Sequence, residues 1–102
     1  KPLNPTQKGE FGDVKEDITY LLQMCRHRIE HSDYEGMETE VHKAMELNNQ
    51  LAQLKREELQ RIRTEAGSIK VSMVYLNMIQ EAQNVVTYTS NLLKVSRKFQ
   101  TV

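Results

Sequence analysis

His27 and His31, four residues apart, come nearest of any pair in this chain to a metal-binding spacing. On a helix that step puts both imidazoles on one face, as a zinc site needs, and Glu30, Asp33 and Glu35 stand close by in sequence. The spacing fixes no third ligand, so the pair reads instead as a solvated helix end, where a protonated imidazole suits the C-terminal dipole. His42 follows Glu38 by four and is expected to form a surface pair with it. Cys25 falls on an apolar stripe with no histidine placed to activate its thiol, which makes it a small core residue. Lys55, Arg56, Arg61 and Arg63 cluster as a phosphate site would, but Glu57, Glu58 and Glu65 interleave with them, which is the pattern of a salt-bridged solvated face. There is no glycine-rich phosphate loop, and no serine, histidine and aspartate are spaced as a triad. The chain is therefore expected to have no catalytic residue, metal site or cofactor, and not to be an enzyme.

Composition points the same way. With 102 residues the chain can build one small core and no second domain. Its 14 basic and 14 acidic side chains cancel, so no net field draws it to nucleic acid or an anionic membrane. The single cysteine excludes an intrachain disulfide and fits a reducing compartment. No stretch approaches the roughly 18 to 20 apolar residues of a membrane span, so this segment is not expected to insert in a bilayer. The chain does not open on methionine and is expected to be part of a longer protein.

The apolar spacing predicts three helices. Residues 1–12 hold both prolines and two of the four glycines and read as a linker or lead-in, with the bundle over 13–102. Asp13 and Glu16 have capping-box spacing, and Val14, Ile18, Leu21, Leu22, Cys25 and Ile29 follow as one stripe. Ser32 and Glu35 repeat the box, so a second helix is expected from near Asp33, with Gly36 in its first turn and Glu57 paired to Arg61. Its apolar residues run from Met37 through Leu47 and Leu51 to Ala66, and Gly67 is the expected C-terminal cap. Ser68 then caps a long third helix reaching Phe99. One face of it carries Ile79, Val86 and Leu93; Asn77, Glu81, Asn84 and Asn91 lie opposite, with Tyr88 among them and Tyr75 at their edge. The fold expected is all-α, an antiparallel three-helix bundle with long second and third helices.

A first helix of about 19 residues spans roughly 28 Å, whereas the other two reach nearly 50 Å. On that reading the distal end of the second and third helices is left bare. Leu54, Leu59, Ile62, Ile69, Met73, Leu76, Met78 and Ile79 are then the expected partner interface, in a homodimer or against a transmembrane transporter core.

The stretches Ser32-Asp-Tyr-Glu-Gly-Met-Glu-Thr-Glu-Val41 and Glu46-Leu-Asn-Asn-Gln-Leu-Ala-Gln-Leu-Lys-Arg56, with the pair Asn91-Leu92, carry a resemblance over about residues 17–99 to PhoU-like helical domains. The form resembled is the cytoplasmic C-terminal region of bacterial sodium/phosphate cotransporter-like proteins. The resemblance implies a regulatory or assembly domain of an inner-membrane protein, on its cytoplasmic side and associated with phosphate transport. Aligned on Asn91-Leu92, the family's two acidic metal positions fall on Gln83 and Thr87, neither of which replaces a carboxylate, so its metal clusters are not expected here. A free-standing helical adaptor or coiled-coil interaction domain is the alternative.

Overall fold

The computed structural model describes residues 3–64 and 68–100, and over these the protein is an all-α three-helix bundle. Helix α1 runs Pro5–Glu30, α2 Glu38–Thr64 and α3 Ile69–Gln100. The lead-in expected over residues 1–12 is helical from Pro5, so α1 has 26 residues and a length of about 39 Å, against about 40 Å for α2 and 48 Å for α3. The local cause is a complete capping box. Asn4 Oδ1 accepts from the Gln7 amide at 2.9 Å, Gln7 Oε1 accepts from the Asn4 amide at 3.0 Å, and Pro5 occupies the first turn, where its missing N–H costs nothing. Asp13 and Glu16, read as the box, lie inside the helix.

Gly9 and Gly12 are then helix-interior residues, and a Cβ at either would meet nothing within 4 Å. Each is expected to hold back the stability of this end of α1. Gly9→Ala and Gly12→Ala should each raise stability by about 0.5–1 kcal/mol in urea unfolding, since alanine loses less backbone entropy. A loss of stability at either position would show that the helix begins later.

Between α1 and α2 the chain turns through Ser32 (φ +49°) and Gly36 (φ +79°), and α2 starts at Glu38 rather than near Asp33. Gly36 thus lies ahead of the helix in a left-handed conformation that a side chain would strain. Arg28 holds this loop: its Nη1 donates to the carbonyls of Asp33 and Glu35, and its Nε lies 2.6 Å from the buried Glu40 carboxylate. Ser68 caps α3 as expected, its Oγ accepting from the Val71 amide. The expected cap Gly67 lies outside the described residues, as do Glu65 and Ala66.

Cross-helix partners fix the directions. Gln7 meets Glu58, Asp17 meets Lys43 and Arg28 meets Glu40, so α1 and α2 are antiparallel. Phe11 packs edge-on against Tyr75, and Gln100 at the far end of α3 donates to the Ser32 carbonyl, so α1 and α3 run the same way. The core runs the length of the bundle through Val14, Ile18, Leu21, Cys25, Met37, Ala44, Leu47, Leu51, Tyr75, Ile79, Val86 and Leu93. Tyr75 is a correction: placed at the edge of the water-facing strip by its spacing, it has no exposed surface at all.

At the distal end the first turns of α1 are fastened to the hairpin by polar groups. Glu10 accepts from Arg61 at 2.8 Å and from the Tyr75 hydroxyl at 2.9 Å. Beside it, buried Glu58 accepts from Gln7 Nε2 at 3.0 Å and from Ser72 Oγ at 2.6 Å, and Arg61 Nε lies 3.1 Å from its other oxygen. Arg61 therefore pairs with Glu10 and Glu58 rather than with Glu57, whose carboxylate accepts from Gln53.

Candidate functional site

The positions singled out for chemistry are dispersed. His27 and His31 stack at the exposed end of α1 with ring centroids 4.1 Å apart, and the His31 Nδ1 lies 2.9 Å from the His27 carbonyl. Among the described residues, no group of three or more histidine, cysteine, aspartate or glutamate side chains is placed to hold a metal ion. His42 lies 3.3 Å from Glu46, while Glu38, its expected partner, faces Arg97 at 4.0 Å across to α3. In the basic cluster Arg61 is committed to Glu10 and Glu58, and Arg56 donates to Gln53. Lys55 reaches over to α3, donating to Gln80 and Gln83. Gln83 and Thr87 are thus parts of the α2/α3 contact, Thr87 accepting from Asn48. An ammonium group already uses the acceptors on that stretch of α3.

Cys25 lies in the core at 2% exposure. Burial, and after it the Glu40 carboxylate, pushes its thiol up from 9.0 to about 11. The native state therefore keeps a proton that the unfolded chain releases, so the stability this contributes is intact below pH 9 and is lost as pH rises through about 11. Urea midpoints should fall over that window in the wild type and fall less in Cys25→Ala. An equal fall in both would place the alkaline transition elsewhere.

The eight residues expected as a partner interface do not form one exposed surface. Ile79 is fully buried, Leu54, Ile62, Leu76 and Met78 are half-buried, and Leu59, Ile69 and Met73 are exposed. The cause is the extra length of α1, which lays Gln7, Glu10 and Phe11 over the end of the hairpin.

Exposed apolar surface gathers elsewhere, along α3 beside α1. Two seams run down α3 one residue apart. The first, Tyr75, Ile79, Ala82, Val86, Thr89, Leu93 and Ser96, steps by 4 and 3 and faces the bundle, with Ser96 half-buried at its end. The second steps in the same way through Val74, Met78, Glu81, Val85, Tyr88, Leu92, Val95 and Phe99, and apart from half-buried Met78 it is exposed. Alternating steps of 3 and 4 are the spacing by which one helix packs along another. The second seam forms one wall of a groove whose other wall is α1. One hollow of about 440 Å³ lies against Phe11, Val74, Met78 and Val85. The next, of about 510 Å³, lies against Leu22, Ile29, Val85, Tyr88 and Leu92. Sequence reasoning saw α3 as broadly apolar but missed this surface; the repeat of the 4-3 spacing one residue out of register was the available signal.

The groove has few polar groups. Glu81 is the one charged residue of the α3 seam, and Arg26 and Glu30 stand on the α1 side, paired to each other at 3.0 Å in an exposed contact. Among the described residues, no helix is long and apolar enough to cross a membrane. Compared with family models, curated proteins and solved structures, the chain has no significant match.

Proposed function

We propose that this domain is a non-enzymatic assembly module whose working surface is the apolar groove between α1 and α3. One observation carries the reading: a helix-packing seam running Val74 to Phe99 is left exposed, except at half-buried Met78, beside the packed core. Monomeric proteins rarely leave so long an apolar strip in water, and a groove bounded by two parallel helices is the shape a further helix fills. The most reactive side chain, Cys25, is buried and protonated, which supports a role in binding rather than catalysis. The resemblance to PhoU-like domains supplies the setting. It casts the module as a cytoplasmic regulatory domain of a sodium/phosphate cotransporter-like membrane protein, in which occupancy of the groove biases transport.

Two measurements test this. A photo-cross-linking residue at Tyr88, on the seam, should give protein adducts in cells that the same residue at Met45, exposed on the far side of α2, does not. Equal adducts at both, or none at Tyr88, would overturn the module. The gene upstream of Lys1 tests the setting: apolar spans there support the transporter, and a start codon at that point leaves a free-standing adaptor.

A further inference from the structure

Resting on that reading, we infer that the groove's occupant is a second copy of this chain, its α3 lying antiparallel in the α1/α3 groove about a two-fold axis midway between Val85 and Tyr88. Three observations converge on it.

The first is area. Tyr88 and Phe99 are 67% and 77% exposed, and Leu22, Val74, Val85, Leu92 and Val95 between 37% and 45%. With an aromatic side chain covering about 150–250 Å² and an aliphatic one somewhat less, these exposed fractions amount to on the order of 600 Å² per chain. That reaches the top of the roughly 300–600 Å² of the largest patch on a typical monomer, against roughly 800 Å² per partner in a stable interface.

The second is the seam's own symmetry. An isologous contact requires a surface that complements itself. Reversed about the midpoint of Val85 and Tyr88, the seam sets Val85 against Tyr88, Met78 against Val95 and Val74 against Phe99 of the other copy. Each residue of these three pairs meets an apolar one, Leu92 alone of the apolar seam facing a charge, and the large, exposed Phe99 closes over the small Val74. Four helices, α1 and α3 from each chain, then surround one shared core.

The third is charge. Glu81, the seam's only charged residue, falls opposite Leu92 of the second copy, and Leu92 lines the same hollow as Arg26. Each Glu81 is thereby delivered to an Arg26 across the axis. Arg26 can turn to it at small cost, because its present bond to Glu30 is an exposed i,i+4 contact. A parallel arrangement would instead set Glu81 against Glu81, two like charges on an apolar seam. The one charge on the α3 seam therefore selects the antiparallel orientation.

Sedimentation of the purified full chain tests the inference, with Arg26→Glu, Glu81→Arg and the double variant. Both side chains are exposed, and circular dichroism checks that each variant keeps its fold. A dimer weakened about tenfold or more by either single change and returned near wild type by the pair is the expected result. A dimer indifferent to both changes would overturn the orientation. A chain that stays monomeric while Tyr88 cross-links to a different protein in cells would reject the second copy and leave the assembly module standing. Absence of any Tyr88 adduct, with a monomeric chain, would remove both.

Discussion

Arg28→Ala is expected to cost about 3–5 kcal/mol of folding stability, a third or more of what a domain of this size usually has. The guanidinium is the donor 2.6 Å from Glu40 Oε1, and Glu40 is 2% exposed, with its other oxygen buried and without a hydrogen-bond donor among the described residues. Removing the arginine strands a carboxylate in the core and also releases the Asp33 and Glu35 carbonyls that shape the loop. The pair itself is not expected to be worth that much. Arg28→Met combined with Glu40→Leu should recover most of the loss, because neither partner is then left unpaired. Urea unfolding of the three proteins decides it. A loss below about 1 kcal/mol in Arg28→Ala would mean that Glu40 finds water once the arginine is gone.

Tyr75→Ala should be of similar size, about 3–5 kcal/mol, by the cost of emptying a large buried aromatic site. Tyr75 is the largest fully buried side chain, packed edge-on to Phe11 at 6.3 Å and bonded through its hydroxyl to Glu10. Both of those partners belong to the first turns of α1. The variant should therefore loosen residues 5–12 before the rest of the bundle, visible as early amide exchange confined to that segment. Tyr75→Phe keeps the ring contact and leaves Glu10 paired with Arg61, so its loss should be only about 1 kcal/mol. Exchange that quickens uniformly in Tyr75→Ala would show that the end of α1 has no separate behaviour.

The three helices, the cap at Ser68 and the buried stripe of Val14, Ile18, Leu21 and Cys25 were all legible from spacing, because helical periodicity is a local property. The start of α1 was legible too, in Asn4-Pro5-Thr6-Gln7, but two prolines and two glycines within twelve residues pointed to a linker and hid the cap signal. A first helix read without its opening turns leaves the hairpin end bare, which is why the expected partner surface falls there. Buried Glu40 and Glu58 were not legible. Each takes a partner from another helix, Arg28 at 12 and Gln7 at 51 residues away in sequence, and charge patterning along one helix cannot reveal those contacts. Tyr75 was misplaced for the same reason, since the acid that accepts its hydroxyl comes from α1. The apolar breadth of α3 was visible, but periodicity alone does not say which half of a broad face the other two helices cover.

The two seams of α3 also bear on how this sequence can drift. Inward positions are held by the core, the second seam by whatever fills the groove, and Gln80, Gln83 and Thr87 by their bonds to α2. What is left includes a strip at every seventh residue, Asn77, Asn84 and Asn91, all exposed, with Asn77 at the rim of the groove and Asn84 accepting from Gln80. Among relatives that keep the assembly, variation in α3 should concentrate on that strip. In lineages that lose it, the second seam should turn polar first, with Val85, Tyr88 and Leu92 giving way while Ile79, Val86 and Leu93 stay apolar.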